Sequence, residues 1–170
     1  IGSSIGSWRF ACYAQSDPVA AIERFEEAYL GQTYSEKPDI HEITALSRNI
    51  LRYVLGEAGV AQILEGPLFR MHVMAVRARH VMASERPVVL GGALIASALL
   101  NAVSRSTLGW SFERALFYDT RDLPPFFDVD GFPLQRIPLA ADNLEDAVVA
   151  SGSIPLVLSG VRDIAGARPG

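Results

Sequence analysis

Two kinds of apolar pattern take turns along this chain. Ile43, Leu46, Ile50 and Val54 recur at the spacing of one helix face, whereas Met71 to Arg77 and Phe112 to Tyr118 are short apolar runs suited to buried strands. Helix punctuation falls between such runs. Asp17-Pro18 offers an N-cap followed by proline at the first helical position, and Gly31 closes that segment. Asp39 with Glu42, and Asp142 with Glu145, have the spacing of capping boxes, so helices are expected from Asp39 onward and over Asp142–Ala150. Ser4 to Tyr13 reads as a short helix, and Ile154 to Leu158 as a further strand. Strands alternating with helices argue for an α/β layered domain.

The longest apolar run, Pro87 to Val103, falls short of the roughly 20 residues that cross a bilayer. It also holds Gly91, Gly92, Ser97 and Asn101. A buried strand-turn-helix, its helix running from about Gly92 to Ser104, is expected there. With 170 residues and no internal repeat, one domain is the expectation. Hydrophobic residues at 49% and charged residues at 20% exclude a disordered chain. A net charge of −4 with no basic run gives no sign of a nucleic-acid partner. The single cysteine, Cys12, cannot close an internal disulfide, and no secretory leader is visible. A cytoplasmic or membrane-peripheral location is slightly favoured. The sequence opens at Ile1 and stops at Gly170 in a loop-like stretch, so further residues are expected on both sides.

Chemistry enters with Gly2-Ser3-Ser4-Ile5-Gly6, a G-x-S-x-G pattern. A nucleophilic serine at a sharp strand-to-helix turn holds a strained backbone, and its neighbours two positions away are expected to press together, favouring Gly2 and Gly6. The same turn aims the Ile5 N–H and the helix N-terminus at a developing oxyanion. Chance alone yields the pattern in about one chain in twenty of this length, and the plain alternative is a glycine-rich turn that caps a helix. A general base is hard to find. His41, His72 and His80 all precede most of the domain, whereas an α/β-hydrolase triad places histidine last, so all three read as surface or structural. A carboxylate partner fits the available residues better. No His/Cys/Glu cluster has metal-ligand spacing, and no cofactor is expected.

The elbow GSSIGS, together with Ala150-Ser151-Gly152-Ser153-Ile154-Pro155 much later, resembles the patatin-like phospholipase family. That resemblance implies a three-layer α/β/α domain with a central, mostly parallel sheet, of which residues 1–170 are one part. It implies a lipid acyl hydrolase of the phospholipase A or lysophospholipase type, using a Ser-Asp dyad and an acyl-enzyme intermediate. Ser4 is then the nucleophile, with Gly2, Ile5 and Gly6 forming the elbow and one side of the oxyanion hole. The family's glycine-rich oxyanion segment lies upstream of the elbow and its D-G-G segment downstream, and neither is in this chain. The catalytic aspartate is expected beyond Gly170. Asp130-Gly131 precedes the ASGSIP segment and reads as a turn, and Asp163 lacks the adjacent glycine and reads as a loop residue near the site.

The implied partners are a lipid or ester substrate and transient contact with a membrane surface. Leu123-Pro124-Pro125-Phe126-Phe127 is either an exposed apolar patch or core packing. The rival readings are a non-enzymatic lipid-binding domain of the same fold, and an acyltransferase or small-ester esterase with the same elbow. Head-group and acyl-chain preference, oligomeric state and any lid stay open at this level.

Overall fold

The computed structural model describes residues 1–79, 86–103, 108–125, 127–128 and 131–169. The chain is mixed α/β. Helices α1 (Ile5–Tyr13), α2 (Pro18–Leu30), α3 (Ile40–Leu55) and α4 (Gly59–Glu65) come first, followed by strand β1 (His72–Ala78). Helices α5 (Pro87–Val103) and α6 (Leu108–Ser111) lead into β2 (Phe112–Tyr118), β3 (Leu134–Pro138) and α7 (Leu144–Gly152).

Local chemistry sets most of these boundaries. The Asp17 carboxylate accepts the Ala20 N–H at 3.0 Å, Pro18 starts α2, and Gly31 ends it, as expected. Asp39 caps α3 by accepting the Glu42 N–H at 2.8 Å. Glu42 does not close a box, because its carboxylate accepts the backbone N–H and hydroxyl of Ser35 instead. At α7 the expected Asp142 cap is replaced by Asn143, whose amide is buried and tied elsewhere. Asn143 accepts the Ala140 N–H and donates to the Pro138 and Ala165 carbonyls, joining the end of β3 to the C-terminal arm. Glu145 leaves the box to pair with Arg48 and Arg52, which fastens α7 to α3.

The sheet runs β1-β2-β3. β1 and β2 are antiparallel, with Ala78 opposite Phe112, and β2 and β3 are parallel. The sheet is therefore mixed, not mostly parallel. The physical reason is the route of the chain: α6 feeds straight into β2 at the end where β1 leaves the sheet, so β2 must run back. β3 was not legible, because only Ile137 of its five residues is buried and no alternation marks it. Ile154–Leu158 forms turns and no strand, since Leu156 sits at φ 69° and Pro155 has no N–H to give a ladder. α5 is one uninterrupted helix in place of the expected strand-turn-helix. Pro87 suits its first position, and the Ala and Leu residues around Gly91-Gly92 carry the helix through a cost of about 1 kcal/mol per glycine. Nor is it wholly buried, with Val88 88% and Ile95 66% exposed. Among the described residues no helix is long and apolar enough to cross a membrane.

One core joins these elements. Trp8 and Cys12 of α1, Leu51 and Val54 of α3, Ile63 of α4, Val73 of β1, Phe117 of β2 and Val148 of α7 are all buried in it. Leu51 has no accessible surface. Truncating it leaves a cavity between helices that other contacts hold in place. Leu51→Ala should cost about 2–5 kcal/mol in urea unfolding. A loss below about 1 kcal/mol would show that the helices collapse onto the space.

Candidate active site

Gly2 lies beside β1 as a strand residue would. Its N–H donates to the His72 carbonyl at 2.8 Å and its carbonyl accepts the Met74 N–H at 2.9 Å, a parallel bridge to Val73. Three residues later the chain enters α1. Between them Ser4 has φ 53° and ψ −137°, in the left-handed half of backbone space that non-glycine residues rarely take. Such a conformation costs on the order of 1–3 kcal/mol and persists only where the surroundings impose it.

The imposing contacts come from Ser151, 147 positions away. The Ser4 N–H donates to the Ser151 hydroxyl at 2.9 Å and to the Ser151 carbonyl at 3.1 Å. The same hydroxyl donates to the Met74 carbonyl of β1 at 2.8 Å. Next to it, Gly152 packs closely on the Trp8 indole: an added Cβ would lie 3.1 Å from Nε1, tighter than ordinary van der Waals contact. The two sequence segments that carry the family resemblance are thus in direct contact.

Ser4 is exposed, and its side chain makes no hydrogen bond to any described residue. Ser7 N–H and hydroxyl both go to the Ser4 carbonyl, and Gly6 N–H goes to Ser3. Ile5 begins α1, so its N–H has no partner within the helix and lies beside Ser4. The expectation that Gly2 and Gly6 press together fails. Gly2 is pressed against the backbone of Ser7, where an added Cβ would come within 2.4 Å of Cα, whereas Gly6 faces open space.

Neither described histidine hydrogen-bonds to Ser4. His72 is buried, and its Nδ1 accepts the Asp119 N–H at 3.2 Å. Burial holds its imidazole below the ordinary pKa, so it is a neutral structural acceptor. His41 is exposed on α3, 3.4 Å from the Ser159 hydroxyl. His80 and Asp130 lie outside the described residues, while Gly131 has the φ of 87° that a turn requires. Burial pushes the Cys12 thiol up to about 11, and its Sγ faces the Trp8 carbonyl, so it is no nucleophile. Among the described residues no group of His, Cys, Asp and Glu could hold a metal ion.

Beyond the elbow, a cavity of about 480 Å³ opens between β1, β2, α5 and the arm 153–168. Ala150 and Ser153, which flank the Ser151 bridge, line it, and Ser4 itself does not. Asp163, in a strained loop conformation at φ 54°, lines it too. The sequence reading missed its polar edge. Glu113, almost fully buried on β2, receives Arg77 at 2.8 Å and Arg168 at 3.2 Å. No spacing in the sequence relates those three positions. In the LPPFF stretch, Leu123 is exposed, but Phe127 packs edge-on against Tyr118 at 5.0 Å with Arg136 stacked on it, and Phe126 is outside the described residues.

Compared with known proteins, the chain matches no family model, no curated protein and no solved structure. The resemblance therefore stands on the residues described above.

The two elbow glycines make opposite forecasts. Gly2→Ala must push α1 off β1 and should lower stability by about 1–3 kcal/mol in thermal unfolding. Gly6→Ala adds a methyl to open space on a helix and should change stability by no more than about 1 kcal/mol.

Proposed function

We propose that the chain carries the nucleophile half of a serine acyl hydrolase acting on lipid esters. The observation that carries this reading is the backbone of Ser4. A serine that merely caps a helix sits in the extended region and accepts an N–H of the first turn with its hydroxyl. Ser4 does neither, having positive φ and no side-chain cap bond. Its strain presents an exposed hydroxyl at a helix N-terminus instead, the geometry that a nucleophile elbow needs. In the proposed mechanism an aspartate beyond Gly170 accepts the Ser4 proton as Oγ attacks the acyl carbonyl. The Ile5 N–H supplies one donor to the tetrahedral oxyanion, an interaction typically worth about 3–4 kcal/mol of transition-state stabilisation. The alcohol leaves with a proton, and water cleaves the acyl-enzyme by the same route.

The lipid part of the reading rests on the apolar cavity lined by Ala150 and Ser153, which flank the Ser151 contact with the elbow, and on the aliphatic side chains around it. Leu156 of its lining is half exposed, and Ile154 and Val157, its neighbours in the arm, are exposed with it. A concentration of apolar surface of this kind favours contact with lipid over a purely aqueous substrate. A three-layer patatin-like arrangement, with the sheet continued past Gly2, belongs to the same proposal.

The test is covalent labelling of the whole protein by a fluorophosphonate probe. The parent should label, Ser4→Ala should not, and Ser151→Ala should label roughly five- to tenfold more slowly while remaining folded, since it removes one hydrogen bond of about 1 kcal/mol from the elbow. A folded parent that takes no label would leave Ser4 a structural residue and favour a lipid-binding domain without chemistry.

A further inference from the structure

Polarity in the cavity beside the elbow is unevenly shared. Leu90 and Leu94 of α5, Phe112 and Phe117 of β2, and Leu156 and Leu158 of the arm give it an apolar body. Its charged lining consists of Arg77, Arg162, Asp163 and Arg168. Arg77 and Arg168 converge on one carboxylate, Glu113, whose side chain is only 5% exposed. Arg77 is further occupied, donating to the Pro169 carbonyl. Arg168 is less engaged: its side chain is 66% exposed, and among the described residues its guanidinium meets Glu113 through one nitrogen. A guanidinium carries five N–H donors in a fork that suits a carboxylate or phosphate, so Arg168 has donors to spare at the cavity's edge. Asp163 is the one carboxylate among the described lining residues.

We infer that this cavity binds a single-chain amphiphile with an anionic head, a fatty-acid carboxylate being the simplest, with the tail against α5 and β2 and the head at Arg168. The volume of about 480 Å³ lies within the roughly 300–1,000 Å³ of small-molecule pockets. Apolar burial supplies most of the affinity, and the arginine selects the sign of the head. Asp163 opposes the head and limits how tightly it is held. None of this needs Ser4 to be a nucleophile, because Ser4 does not line the cavity.

The experiment is displacement of a fluorescent fatty acid from the whole protein, in the parent and in Ser4→Ala, below the micellar concentration of each competitor. Dodecanoate should displace the probe and dodecyltrimethylammonium should not. Arg168→Ala should weaken dodecanoate about tenfold and leave dodecanol unchanged, and Asp163→Asn should tighten dodecanoate. Leu94→Trp, which fills the cavity, should abolish displaceable binding. Each variant is compared by circular dichroism with the parent. Equal displacement by the ammonium amphiphile, indifference to Arg168→Ala, undiminished binding in Leu94→Trp, or no binding at all would overturn the inference. Fluorophosphonate labelling of the same samples reports on Ser4 separately, so the binding site and the hydrolase reading can fail independently.

Discussion

The hydroxyl of Ser151 ties the strained turn at Ser4 to the sheet. It has one proton and two lone pairs. The proton goes to the Met74 carbonyl and a lone pair takes the Ser4 N–H, so one oxygen joins β1, the end of α7 and the turn into α1. The strain at Ser4 is on the order of 1–3 kcal/mol, and a neutral hydrogen bond contributes roughly 1 kcal/mol. Terms of that size nearly cancel. The elbow therefore needs all its restraints together: two bonds to Ser151, two ladder bonds at Gly2, and the close contact of Gly2 with Ser7.

Deeper polar ties follow the same logic of satisfied burial. Gln15 donates to the Ala11 and Val54 carbonyls and accepts Arg24, which itself reaches the Val54 carbonyl, so the end of α3 is closed by Gln15, just past α1, and by Arg24 of α2. Asp119 is drawn up by burial, but the hydrogen bonds from Arg121 outweigh this and hold its carboxyl below the usual range. Arg121 in turn donates to the carbonyls of Ile63 and Gly66, at the end of α4. Breaking one partner of such a group strands the other in the interior, which costs more than the pair itself contributes.

What could be read from the sequence was mostly local. Asp17-Pro18 and Gly31 bound α2 because caps act within one turn, and β2 was legible because four of its seven residues, Glu113 and Ala115 to Phe117, are buried. Ser4 was legible for a related reason, since the pattern around it encodes a local conformation. Failures arose where distant contacts outbid local ones. Glu145 met Arg48 across 97 positions and left its capping box, and Asn143 was taken by two carbonyls from other segments. The sheet's mixed sense depends on where α5 and α6 return the chain, which no short pattern specifies. Ser151 could be singled out only by resemblance, because nothing within its own segment shows that Ser4 lies against it.

α5 brings the surface and the cavity into one argument. No residue of Pro87–Val103 carries a charge, so no ion pair from its own side chains can anchor it. Leu90 and Leu94, one turn apart, face the cavity, while Val88, Gly92 and Ile95 form the opposite, exposed side. Its seat on the protein thus rests on apolar contact across a space that is itself large. An apolar guest in that space adds contact area to Leu90 and Leu94 and steadies the helix, by the ordinary linkage between binding and local stability. Without such a guest the same helix keeps less contact area. On the inference drawn above, occupation of the cavity and the seating of α5 are therefore one equilibrium.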